Sequence, residues 1–232
     1  MTDAMTRVAP PPAAMAGTTT KDDRAAWGIV ALLVGAPVLR MLGVIIHPLD
    51  TEDALETLAH VDAVAPRWAL AHLVEPASML LLAAAGFLVA RLAPAAGRRT
   101  ARAGAALWAM GCSGLALLVY GHGEAYLNMA HESVDQSQMV ALYERFHEGV
   151  PLAAPLIPLF SLGAVLLGVG LHLARAVPLP AIVAFVVATV LPNAIPSEDS
   201  LIPAAIIGSI PMIFAMAVFA RALVRQHAEP AR

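Results

Sequence analysis

Two ionisable residues sit where lipid would make them costly. The apolar stretch Trp68–Arg91 carries His72 and Glu75 near its start, three residues apart and therefore on one face of a helix. A second apolar stretch carries Arg40, roughly 9 Å of helix rise from its end at Ile46. His122 and Glu124 close a third apolar run, and His147 and Glu148 stand at the end of the longest polar segment. Imidazole with carboxylate is the donor set of zinc and similar divalent ions, and it also relays protons near neutral pH. The candidate ligand- or proton-binding residues are therefore Arg40, His72, Glu75, His122, Glu124, His147 and Glu148, with His72, His122 and His147 as candidate metal ligands. Arg40 and Glu75, on successive apolar segments at similar depth, are expected to pair.

Other chemistries find less support. A b-type haem needs two facing histidines; His72 with His122 or His147 offers one such pair near one surface, but within the spans His172 is alone near the other. Cys112 is the only cysteine, which excludes an internal disulfide and a Cys-rich zinc site. No phosphate loop, dinucleotide fingerprint or HExxH run is present, and no basic aromatic surface suggests a nucleic-acid partner. Gly111-Cys112-Ser113-Gly114 resembles the GxSG run around the nucleophile of rhomboid proteases, which are six-span enzymes. The resemblance implies a histidine on a later, adjacent span to activate Ser113. The last apolar stretch, Leu201–Leu223, contains none, and the motif lies mid-span, so its glycines read as a helix-packing surface.

The elements that must hold these residues are membrane helices. Of 232 residues, 59% are hydrophobic and 13% charged, with a mean hydropathy of +0.73, whereas a soluble domain is about a quarter charged. Six apolar spans are expected, at about 25–46, 68–91, 103–122, 151–174, 177–195 and 201–223. Residues 1–24, with Pro10-Pro11-Pro12 and Thr18-Thr19-Thr20 and no apolar run, read as a disordered cytoplasmic tail rather than a signal peptide, and 224–232 as a second tail. Pro76 disfavours helical geometry at Glu75, so span 2 is expected to break or restart there. One face of that span, His72, Glu75, Met79, Ala83, Gly86 and Ala90, is expected to face protein, with Leu81, Leu82, Phe87 and Leu88 facing lipid. Two short amphipathic helices are expected on the extracytoplasmic face. One has Ala54, Leu55, Leu58 and Val61 at helical spacing; the other has a Ser133/Gln136 capping box followed by Met139, Val140, Leu142, Tyr143 and Phe146.

Charge sets the orientation. The N-terminal tail, Arg98–Arg102, Arg175 and the C-terminal tail hold nearly all the Lys and Arg, while the other three loops hold thirteen of the seventeen acids when Glu75 is counted. The positive-inside rule then places both termini in the cytoplasm. His47 and His72 are 25 residues apart, as are His122 and His147, which suggests a duplicated helical hairpin. Alanine-rich spans, with Lys21 the only lysine, point to a bacterial plasma membrane.

The expected object is an all-α integral membrane protein with six transmembrane helices, embedded in the lipid bilayer and contacting another protein or a second copy of itself. Its expected role is a small transporter, sensor or accessory subunit with a polar outward-facing cavity, rather than an enzyme. The alternative is a membrane-embedded metalloenzyme with zinc on His72, His122 and His147, Glu75 as base and a lipid-like substrate.

Overall fold

A computed structural model describes residues 22–48, 54–131, 138, 141, 145, 154–194 and 201–228. Among the described residues the regular elements are all helical: α1 (Asp22–Ile46), α2 (Ala54–Ala63), α3 (Ala65–Ala90), α4 (Arg98–His131), a 3-10 turn (Ala154–Leu156), α5 (Ile157–Leu173), α6 (Leu179–Ala194) and α7 (Leu201–Ala228). Four of them, α1, α3, α4 and α7, contain segments long and apolar enough to cross a membrane, while α5 and α6 are shorter apolar helices.

The six apolar helices form a closed ring. Each packs on its neighbour in chain order, α1 on α3, α3 on α4, and so on to α7, which returns to α1. The core lies inside the ring, around Leu33, Leu82, Trp108, Phe160, Leu167, Phe185 and Phe219. Trp108 stacks on Phe160 and meets the edge of Phe185, which in turn meets Phe219. The outward faces carry large exposed apolar side chains such as Leu73, Phe87, Leu117, Leu162, Val183 and Phe214.

Glycine decides how closely α4 and α5 approach. Gly104 and Gly111 lie against the α5 backbone at Leu167 and Phe160, and Gly163 and Gly170 lie against the α4 backbone at Trp108 and Ala101. Any Cβ at these positions would strike the partner helix. Gly111 thus has the packing role read from its motif, and the Ser113 hydroxyl donates to the Ala109 carbonyl of its own helix at 2.9 Å.

Several boundaries differ from those expected. α3 does not break at Pro76 but runs unbroken from Ala65, with a proline in its first turn. Pro76 removes one donor, the one that would reach the His72 carbonyl, and the Ser78 hydroxyl donates to the Glu75 carbonyl at 2.6 Å in the same turn. The rest of the helix, packed on two sides, outweighs that loss. The same two-sided packing widens the buried face of α3, so Leu82 and Val89 are buried, while Leu81 and Phe87 are exposed as expected. α4 does not stop at His122 but continues to His131, because Tyr126 and Met129 are buried with Leu58 and Val61 of α2 and with Trp68. α7 continues past Leu223 to Ala228, since no glycine or proline interrupts it before Pro230.

α2 buries Thr57, Leu58 and Val61 and exposes Glu56, His60 and Asp62. Only Val64 separates it from α3. The second expected amphipathic helix lies outside the described residues except for Gln138, Ala141 and Arg145, which are helical and exposed.

The glycine contacts can be tested directly. Gly163→Ala should destabilise the detergent-purified protein by about 1–3 kcal/mol, as overpacking does. Gly35→Ala, where an added Cβ meets nothing within 4 Å, should leave the thermal midpoint unchanged or raise it through helix propensity. Equal shifts at the two positions would mean that α4 and α5 do not meet through these glycines.

Candidate functional site

Three helix ends converge on one polar cluster. α1 ends at Ile46 and is followed at once by His47; the first turns of α3 supply Trp68, His72 and Glu75; the extended end of α4 supplies His122, Gly123 and Tyr126. The spacings place these groups without further help. Trp68 and His72 are one turn apart on α3, and His122 and Tyr126 are one turn apart on α4, so each pair shares a face.

Two glycines let the side chains in. The His72 ring lies against Gly123, where any Cβ would overlap ring carbons. The Glu75 side chain lies over Gly43 of α1 in the same way, with a built Cβ 2.6 Å from Glu75 Cγ. Trp68 fixes the α3–α4 register, its indole N–H donating to the Gly123 carbonyl at 3.1 Å. A buried hydrogen bond of this kind contributes about 1 kcal/mol, and losing one partner costs about 1–3 kcal/mol. Arg67 holds the end of α1, its Nε–H donating to the Ile46 carbonyl at 2.7 Å, where a cation also complements the helix dipole.

The rings form a continuous stack. Trp68 lies over His72 with centroids 4.4 Å apart and over Tyr126 at 5.5 Å. His122 stacks on Tyr126 at 4.2 Å and on His72 at 5.7 Å, the latter pair only 13° from parallel. His47 meets His72 at a tilt of 55°, with centroids 4.7 Å apart. His72 is 4% exposed, so its polar atoms have to be satisfied by protein. Its Nδ1–H donates to the Trp68 carbonyl at 3.0 Å, and His47 Nδ1–H donates to the Pro48 carbonyl at 2.7 Å. The two Nε2 atoms are 3.3 Å apart.

Arg40 lies about two turns before His47 on α1 and Glu75 about one turn past His72 on α3, and each acts electrostatically on the other. Glu75 also acts on His47. The carboxylate thus feels both a guanidinium and an imidazole, and its stem lies over Gly43.

Of the residues singled out by sequence, the structure brings Arg40, His72, Glu75 and His122 together. It places Glu124 on the exposed side of α4. His147 and Glu148 lie outside the described residues. Among the described residues no three His, Cys, Asp or Glu side chains stand close enough to hold a metal ion as they are placed. His72 and His122 meet face to face, not edge-on across a slot that a haem would need. Sequence reasoning did not put His47, Trp68 or Tyr126 in the site. The paired spacings Trp68–His72 and His122–Tyr126, each one helical turn, were the available signal.

A cavity of about 400 Å³ lies at the other end of the helices, lined by Arg91, Arg98, Arg102 and Gln226 among others. Arg91 is separated from His72 along α3 by roughly 28 Å of helix rise.

The interaction between Arg40 and Glu75 is open to a double-mutant cycle. Arg40→Met and Glu75→Gln should each lower thermal stability, and the double variant should cost less than their sum by about 0.5–3 kcal/mol. Strict additivity would mean that the two charges do not depend on each other. No family model matches this chain, and no curated protein or solved structure matches it either.

Proposed function

We propose that the chain crosses a bacterial plasma membrane six times and works as a small transporter, sensor or accessory subunit, with the histidine cluster as its working site on the extracytoplasmic side. The observation that carries this reading is the convergence of His47, His72 and His122, from three different segments, on one ring stack with Arg40 and Glu75 beside it. Ionisable groups inside apolar helices are costly and are kept where they act on a ligand, an ion or a proton.

Two further points support the six-span reading. α5 has 17 residues and is preceded by a three-residue 3-10 turn, together roughly 31 Å of rise, close to the hydrocarbon thickness of a bilayer. α6 is shorter, at 16 residues, but it completes the ring and exposes Leu179, Val183, Val187 and Leu191. A short span is accommodated by local thinning of the bilayer at modest cost. With both termini in the cytoplasm, the arginines at the α3–α4 turn lie inside, and α2 with the histidine cluster lies outside.

The reading requires the cluster to be reachable from outside. Cys112 is buried and is the only cysteine, so Cys112→Ala gives a background without thiols. In that background His47→Cys should react with a membrane-impermeant maleimide in right-side-out vesicles, and Arg99→Cys only in inside-out vesicles. Additional labelling of His47→Cys from the inner side would favour a transporter over a sensor. Absence of labelling from outside, in a variant that still inserts, would remove the proposed site.

A further inference from the structure

His47 and His72 turn the same ring edge toward each other. Their Nε2 atoms are 3.3 Å apart while the ring centroids are 4.7 Å apart. The other nitrogen of each ring is already committed. His72 Nδ1 lies 3.0 Å from the Trp68 carbonyl oxygen and His47 Nδ1 lies 2.7 Å from that of Pro48. A carbonyl only accepts, so both Nδ1 atoms carry the ring proton, and in a neutral imidazole that leaves Nε2 as a bare lone pair. Two lone pairs at this distance repel unless a positive charge lies between them.

A proton or a metal ion supplies such a charge. The separation of 3.3 Å is at the long end for a hydrogen bond. It matches the separation of about 3.3–3.4 Å that two zinc–nitrogen bonds of about 2.0–2.1 Å subtend at a tetrahedral angle. Backbone support of the far ring nitrogen is also how metal-binding histidines are oriented. Negative charge is at hand, because Glu75 lies three residues beyond His72 on the same face and acts electrostatically on His47.

We propose that His47 and His72 form the nitrogen half of a site for a divalent transition-metal ion of the zinc class, completed by Glu75 after a side-chain rotation and by water. This rests on the reading of the cluster as the working site and names its ligand class. His122 is not a ligand in this site. Its ring is nearly parallel to that of His72 and stacked on its face, and an ion bound in the plane of one ring cannot lie in the plane of the other. Two nitrogens with one carboxylate select zinc or its neighbours over magnesium and calcium, which take oxygen ligands.

The test uses the full chain in nanodiscs, stripped with a chelator and titrated with Zn²⁺, Co²⁺ and Mg²⁺. One Zn²⁺ or Co²⁺ per chain should bind, with the intense visible bands of a low-coordinate, nitrogen-ligated cobalt centre, and Mg²⁺ should not compete. His47→Asn and His72→Asn each retain an N–H donor for the backbone carbonyl and lose Nε2. Each should weaken Zn²⁺ binding by about 100-fold or more, and Glu75→Gln by about 10–100-fold. His60→Ala, at an exposed histidine of α2, should leave it within about threefold. No uptake by the wild-type chain, or equal uptake by both Asn variants, would overturn the proposal. If an Asn variant does not fold, the cobalt spectrum of the wild-type chain decides, and bands without nitrogen ligation overturn it. Loss of metal binding with His47→Cys still labelled from outside would remove the ion and leave the site; loss of the labelling would remove the site itself.

Discussion

His72 rests on the backbone of α4 at Gly123, and most of the polar architecture depends on that contact. Without a side chain at Gly123, α3 and α4 approach closely enough for an imidazole to lie between them. Trp68, one turn earlier, then reaches the carbonyl of the same glycine. His122 and Tyr126, on either side of Gly123 along α4, are carried into stacking range of Trp68 and His72. A larger residue at Gly123 would separate the helices and scatter the stack, because packed interiors do not absorb a methyl group without displacement.

The cluster also shows how polar groups are kept in an apolar setting. The Nδ1 atoms of His47 and His72 are each satisfied by a nearby carbonyl, and the indole N–H by another. Arg67 takes the last turn of α1, whose carbonyls lack helical partners. Aromatic faces cover the rest, so little of His72 meets solvent. The remaining edge is the pair of Nε2 atoms, which the backbone contacts leave facing each other. Because His47 follows α1 and His72 belongs to α3, a cation between them would add a link between two helices already joined over Gly43 and through Arg67. That linkage is a direct way for occupancy to alter helix packing, which both a transporter and a sensor require.

Much of the fold was legible in the chain. Long apolar runs predict helices whatever their neighbours, since a helix is how a single segment satisfies its own backbone in lipid. Arg40, His72, Glu75 and His122 stood out because their chemistry conflicts with their surroundings, and the structure brings those four together. His47, Trp68 and Tyr126 did not stand out, because histidine and aromatic residues at the end of a span are ordinary interfacial residues. Their importance comes from which helices are adjacent, and no single-helix pattern contains that. The continuity of α3 through Pro76 was misread for a related reason: the local penalty is visible in sequence, but the packing on both sides that outweighs it is not.

The sequence by itself determined helical character, an apolar setting and a set of costly charges, because these follow from composition and short-range spacing. Only the tertiary structure decided the closed order of the ring, the extension of α4 under α2, and the meeting of His47 with His72. Those features depend on contacts between segments far apart in the chain. They are set by where glycine permits close approach and where a buried nitrogen finds a carbonyl.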